Sequence, residues 1–192
     1  PPIAEPTSTL RVAWAPDLGG LPVHPDVTAA LAHVPQVFDG LGHCVEDACP
    51  DLTEAGYVFD TLRAWSFATS YSGLIEKFGD KMKETVRWNV RRGMEMPMAE
   101  NMKAWKLRGE LYQRSVTFFE DYDFLLCPVA QVPPFDVKTE YITEINGVEL
   151  QTYIEWMRIV TDVTIMNCPA ISVPAGFTED GLPIGLQIVG PP

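Results

Sequence analysis

The sequence contains no apolar run approaching the ~18 consecutive residues that cross a bilayer, so it offers no membrane-spanning helix. It is poor in positive charge: 14 Lys and Arg stand against 26 Asp and Glu, for a formal charge of −12. A surface of that average sign repels a phosphate backbone, which argues against nucleic-acid partners. No basic-then-apolar leader with a small-residue cleavage site is visible, and the expected location is cytoplasmic. The four cysteines, Cys44, Cys49, Cys127 and Cys168, are irregularly spaced, and two of them precede a proline at a strand-like segment. They read as reduced thiols, mostly small buried hydrophobes, and not as a disulfide framework.

Motifs that carry chemistry are equally scarce. There is no G-x-S-x-G elbow, no H-E-x-x-H, and no Gly-rich phosphate loop. His43, Cys44 and Cys49 match no common zinc spacing, so no metal is expected. Ser66, Ser70 and Ser72 fall near a helix end, where a capping or solvated hydroxyl is the simplest role. Ser172 alternates with Ile171 and Val173 in a strand and has no Lys or His nearby in sequence. A Cys–His pair such as Cys168 with His43 is compatible with the sequence, but no motif supports it. The basic cluster Arg87, Arg91 and Arg92 has helical spacing and suits a solvated face or an interface with acidic neighbours. Carboxylates such as Glu120, Asp121 and Asp123 are too ordinary near a helix end to assign acid–base work.

What is present is a globular mixture, 46% hydrophobic and 21% charged over 192 residues, enough for one domain with a sizeable core. The 17 prolines mark irregular passages at both ends and around 128–134. Residues 1–9 lack periodicity and read as a linker. Residues 10–14 alternate as a strand does, and Asp17 to Gly20 form a turn. A helix opens at Pro25, with Val27, Ala30, Leu31 and Val34 on one face and a break expected at Pro35. A second strand at 44–46 completes a βαβ outline with a parallel pair.

The middle, 51–121, is helical. Asp51 and Glu54 have capping-box spacing, and Gly73 and Gly79 are expected end points. A further helix is expected over 80–92, stopped by Gly93. A third, from Pro97, sets Met98, Met102, Trp105, Gly109, Tyr112, Val116 and Phe119 on one stripe, read as a core-facing helix face. Beyond Asp121 the chain turns β-rich. It has a buried strand at 124–127, a hairpin at Asn146-Gly147, a helix at 152–160, and strands at 170–173 and 184–189 joined by a loop over 174–183. The class is α/β, a mixed sheet flanked by several helices.

The last quarter is more specific. Asn167-Cys168-Pro169-Ala170-Ile171-Ser172-Val173-Pro174-Ala175-Gly176-Phe177, then Asp180-Gly181-Leu182-Pro183-Ile184-Gly185-Leu186-Gln187-Ile188-Val189-Gly190, closely resembles the C-terminal hallmark of the amidase signature family. Tyr122 to Pro128 with Pro133-Pro134-Phe135 is similar to the family's strand ahead of its last lobe. Leu10 to Trp14, Asp17-Leu18-Gly19, Pro25 and Leu41-Gly42-His43 resemble the segment after its catalytic core. Aligned on Pro169, Thr164 stands where many relatives have Asn, and Asn167 where they have Gly.

The resemblance implies a partial amidase-signature fold. Residues 10–192 would be the C-terminal portion of an amidase domain, truncated at both ends. It implies amide hydrolysis by a Ser–cis-Ser–Lys triad, without metal or organic cofactor, in which a neutral Lys draws a proton through the bridging Ser so that the second Ser attacks the carbonyl. No Ser-Ser dipeptide or Gly/Ser-rich loop occurs here, so no catalytic residue is carried over. The family's substrate funnel maps onto Trp156, Asn167 and Cys168, the nominated substrate-binding residues. The chain is therefore expected to supply scaffold and funnel for a small-molecule amide, to be inactive alone, and to self-associate as a homo-oligomer. The alternative is a non-catalytic interaction module or subunit built on the same fold.

Overall fold

The structure, a computed structural model, describes residues 8–192. Most of the expected linker at 1–9 thus lies outside the described residues. Strand β1 (Arg11–Trp14) leads into α1 (Pro25–Leu31) and α2 (Val34–Gly40), then β2 (Cys44–Asp47). The expected break at Pro35 is present. The first helix ends at Leu31, and Pro35 sits in the first turn of the next, where a missing N–H costs no bond. Three long helices follow: α3 (Ala55–Phe78), α4 (Glu84–Glu95) and α5 (Met98–Phe118), with a 3₁₀ turn at Gly79–Lys81. Strand β3 (Phe124–Pro128), the small hairpin β4 (Glu144–Ile145) and β5 (Val148–Glu149), helix α6 (Arg158–Met166), and strands β6 (Ala170–Phe177) and β7 (Pro183–Val189) complete the chain.

The main sheet has five strands in the order β2-β1-β3-β7-β6. Strand β1 runs parallel to β2 and to β3, whereas β3–β7 and β7–β6 are antiparallel, so the sheet is mixed. The central strands explain the unbroken apolar runs read in sequence. Val12, Ala13 and Trp14 on β1, and Leu125, Leu126 and Cys127 on β3, are all buried, as strands covered on both faces must be. Val27 and Leu31 of α1 join this core, as do Ile159, Val163 and Met166 of α6. A smaller cluster, Ala55, Val58, Leu111 and Ile165, binds α3 and α5 to α6. Asn146 and Gly147 both take positive φ, 50° and 80°, as a two-residue hairpin turn demands.

Several local expectations are revised. Helix α3 continues through Gly73, and α4 continues through Gly93. Gly93 is a crossing point: a Cβ there would lie 2.0 Å from the Ala64 carbonyl oxygen of α3. The capping box is absent. Glu54 has φ 75° and no capping bond, and Asp51 instead accepts from the Thr53 N–H at 2.9 Å and pairs with Arg114 at 2.5 Å. The α5 stripe faces outward at its start, with Met98 60%, Met102 65% and Trp105 52% exposed. The buried face of α5 is Asn101, Ala104, Leu111 and Ser115, mostly small or polar residues that let the helices approach closely. Helix α6 starts later than expected and runs to Met166, preceded by a 3₁₀ turn at Glu155–Met157. Strand β6 extends to Phe177 through an irregularity at Pro174/Gly176, so the expected loop shrinks to a short turn. All four cysteines are free, but only Cys127 is fully buried, and Cys44 is exposed. The Arg cluster behaves as expected on α4, where Arg87 and Arg91 both pair with Glu84.

Candidate functional site

The Pro-rich passage after β3 keeps one backbone bond to the sheet, from the Val129 N–H to the Gly185 carbonyl of β7 at 3.1 Å, and beyond it a buried amide organises the chain. Gln131 Nε2 donates to the Pro22 carbonyl at 2.9 Å, and its Oε1 accepts from the Ile159 N–H at 3.3 Å. Its backbone carbonyl accepts from the His24 N–H at 2.7 Å. Gln131 thereby ties three segments together and presents Phe135 to Trp156, whose rings meet edge to face at 5.3 Å. Between them lies a groove of about 380 Å³ lined by Val132, Phe135, Trp156, Ser172 and Ile184. The Trp156 indole N–H is buried and has no acceptor among the described residues. An orphaned buried donor of this kind is costly.

Asn167 closes α6 in the left-handed conformation, φ 57°. Its Oδ1 accepts from Arg108 at 3.3 Å, and it lines a hollow of about 290 Å³ with Trp105, Arg108, Gly109 and Tyr112. Cys168, next in sequence, is half-buried; its thiol donates to the Met166 carbonyl at 3.5 Å, and burial pushes its pKa up. Trp156 and Asn167 thus occupy different grooves, and Cys168 packs against the main core. His43 Nδ1 accepts from the Leu10 N–H at 3.4 Å, and among the described residues no hydrogen bond joins it to Cys168.

Two further clusters have no signature in the sequence. On the face of α3 that meets α4, the Tyr153 hydroxyl oxygen accepts from Asn89 at 2.5 Å and from Arg63 at 3.2 Å. Beside α6, Arg158 pairs with Asp60 and Asp162 is buried nearby. Desolvation pushes the Asp162 carboxyl up to about 6, against the pull of Arg158. The hydrogen-bonded partners Asn89 and Tyr153 lie 64 residues apart, and Arg158 and Asp60 lie 98 apart, so no local spacing in the sequence brings them together.

The serines are placed without bases. Ser115 is buried and donates to the Leu111 carbonyl at 3.1 Å. Ser66, Ser70 and Ser72 ride on α3, and Ser172 lies on the sheet-edge strand β6. Among the described residues no serine hydroxyl is hydrogen-bonded to a lysine or histidine, and no group of three His, Cys, Asp or Glu side chains is arranged to hold a metal. No described helix is long and apolar enough to cross a membrane.

Known proteins resemble the chain along nearly its whole length. An acylamidase of Rhodococcus erythropolis is 29% identical over 194 residues, covering 93% of this chain and 38% of the relative. A putative amidase of Synechocystis is 29% identical, covering 95% of this chain and 35% of its own length. The solved structure of a bacterial aryl acylamidase of the amidase signature family superposes with a TM-score of 0.81 at 21% identity, over 95% of this chain and 40% of that one. The chain therefore spans well under half the length of these relatives. A family model described as Amidase matches residues 1–192, and the chain belongs to the amidase signature family.

Proposed function

We propose that residues 10–192 are the C-terminal portion of an amidase domain whose whole enzyme hydrolyses a small-molecule carboxylic amide to the acid and ammonia or an amine. In this reading the portion supplies part of the sheet, the helical cover and the substrate funnel, with Trp156, Asn167 and Cys168 as the nominated substrate-binding residues, Trp156 and Asn167 lining separate grooves and Cys168 packed against the core. The nucleophile and its base belong to the part of the domain outside these 192 residues. The supporting observation is the contrast between a family match over the full chain and the lack, among the described residues, of any serine hydroxyl bonded to a base. Acyl transfer by a serine nucleophile needs a hydroxyl activated by a base, together with donors that hold the oxyanion.

The test is an assay of the purified 192-residue chain against aryl acylamides, with a serine-directed reagent as control. No hydrolysis is expected, and reagent-sensitive turnover would refute the assignment. The coding sequence ahead of Pro1 gives an independent check. A continuous frame carrying a Lys and a Gly-Ser-Ser-Gly-like stretch supports the proposal. A start codon immediately before Pro1 would favour the non-catalytic module instead.

A further inference from the structure

Arginine on this chain is normally neutralised. Arg11, Arg87, Arg91, Arg114 and Arg158 each meet a carboxylate within ion-pair distance. Arg63, Arg92 and Arg108 meet none among the described residues, although acidic side chains outnumber basic ones by 26 to 14. Two of these three, Arg63 and Arg108, line the same groove of about 440 Å³ between α3, α5 and α6. That volume lies within the ~300–1,000 Å³ typical of small-molecule sites.

Each guanidinium is held in place by neutral partners. Arg63 donates through Nε and NH2 to the Tyr153 oxygen at 3.4 and 3.2 Å and stacks over Phe67 at 4.5 Å. Arg108 donates to Asn167 Oδ1 at 3.3 Å and stacks over Trp105 at 5.2 Å. A neutral acceptor and an aromatic face fix direction without cancelling charge, which is how a site is pre-organised for an anion. Arg63 NH1, and NH1 and Nε of Arg108, have no protein acceptor among the described residues. The walls between them are Phe59, Trp65, Phe67 and Trp105, flat surfaces suited to a planar apolar body.

We propose that this groove binds a small planar organic carboxylate, its ring between the aromatic walls and its carboxylate on Arg63 and Arg108. The planar fork of a guanidinium matches a carboxylate in geometry and in charge. Asn167 is a positioning residue for Arg108 in this site, and Tyr153 for Arg63.

Calorimetric titration of the 192-residue chain with 2-naphthoate and with 2-naphthamide tests it. The acid is expected to bind at least about tenfold tighter than the amide, the scale of a charge-assisted pair. Arg108→Met, on a partly exposed side chain, is expected to abolish that preference, and Arg108→Lys to retain part of it. Arg63→Met should act likewise where its circular dichroism matches the parent. Equal affinity for acid and amide, no binding of either, or an undiminished preference in Arg108→Met would each overturn the proposal. So would loss of self-association in Arg108→Met, which would assign the groove to a carboxylate of a neighbouring copy.

Discussion

Arg158 on α6 clasps Asp60 on α3 at two points, NH1 to Oδ1 at 3.0 Å and NH2 to Oδ2 at 2.6 Å, and NH1 adds a bond to the Gly56 carbonyl at 3.2 Å. Gly56 makes this possible, because a Cβ there would sit 3.1 Å from the guanidinium carbon. Both charged side chains are largely buried, at 14% and 13% exposure. Removing one partner strands the other charge, at a cost of about 3–5 kcal/mol. Asp60→Ala is therefore expected to lower stability on that scale in urea denaturation, and the Asp60→Leu, Arg158→Met double variant to lose much less. Equal losses in the single and double variants would contradict this.

Asp162 gives a pH dependence of definite sign. Its carboxyl is raised by burial from 3.8 to about 6 in the folded chain. Between those values the native state holds more protons than the unfolded state, so stability falls as pH rises from about 4 to about 6, and the loss is complete above that. Asp162→Asn removes the effect. It should gain about 3 kcal/mol at neutral pH and little near pH 4, since each tenfold change in proton affinity is worth about 1.4 kcal/mol. Denaturation curves for parent and variant at the two pH values decide it: the gap must widen toward neutrality.

Gly93 and Gly73 should respond in opposite directions to the same change. At Gly93 a new Cβ meets the Ala64 backbone, and Gly93→Ala is expected to cost about 3 kcal/mol or more through a clash that no rotamer relieves. At Gly73, inside α3, the space is open, and Gly73→Ala should stabilise by up to about 1 kcal/mol through helix propensity. Thermal unfolding of both variants measures the contrast, and equal shifts would be inconsistent with it.

The expected self-association has a candidate surface in the sheet, at its β6 edge among the described strands. Strand β6 is an edge strand, and it carries Ile171 at 59% and Phe177 at 69% exposure. Unprotected edges of this kind pair with other strands. Sedimentation at micromolar concentration is expected to show dimers or larger species, and Ile171→Lys to shift them toward monomer. A compact monomer in the parent would rule this out.

The βαβ start, the buried β3 run and the Asn146-Gly147 turn are legible in the residue pattern because alternation and turn chemistry are local. The α5 stripe misleads because hydrophobicity does not report how near two backbones come. Ala104 faces inward because it is small, and Ser115 because its hydroxyl donates to the Leu111 carbonyl; Asn101 is buried beside them with its side-chain nitrogen unpartnered, and the methionines are left outside. Gly93 looks like a stop for the same reason, although it marks a helix crossing. Trp156, Asn167 and Cys168 are reached through the family resemblance alone. Arg63, Asn89 and Tyr153 meet only after three separate segments have packed, and no spacing rule covers that.

The parallel pairing of β1 with β3 sets Val12 against Phe124, and the Arg11 N–H donates to Asp123, 112 residues away. The centre of the sheet therefore cannot zip up until the entire helical stretch has been synthesised. At roughly 5–20 residues per second, a nascent chain spends on the order of ten seconds with β1 lacking one neighbour. Such high contact order makes for slow, closure-limited folding, and it places the period of greatest exposure to chaperones and proteases before β3 leaves the ribosome.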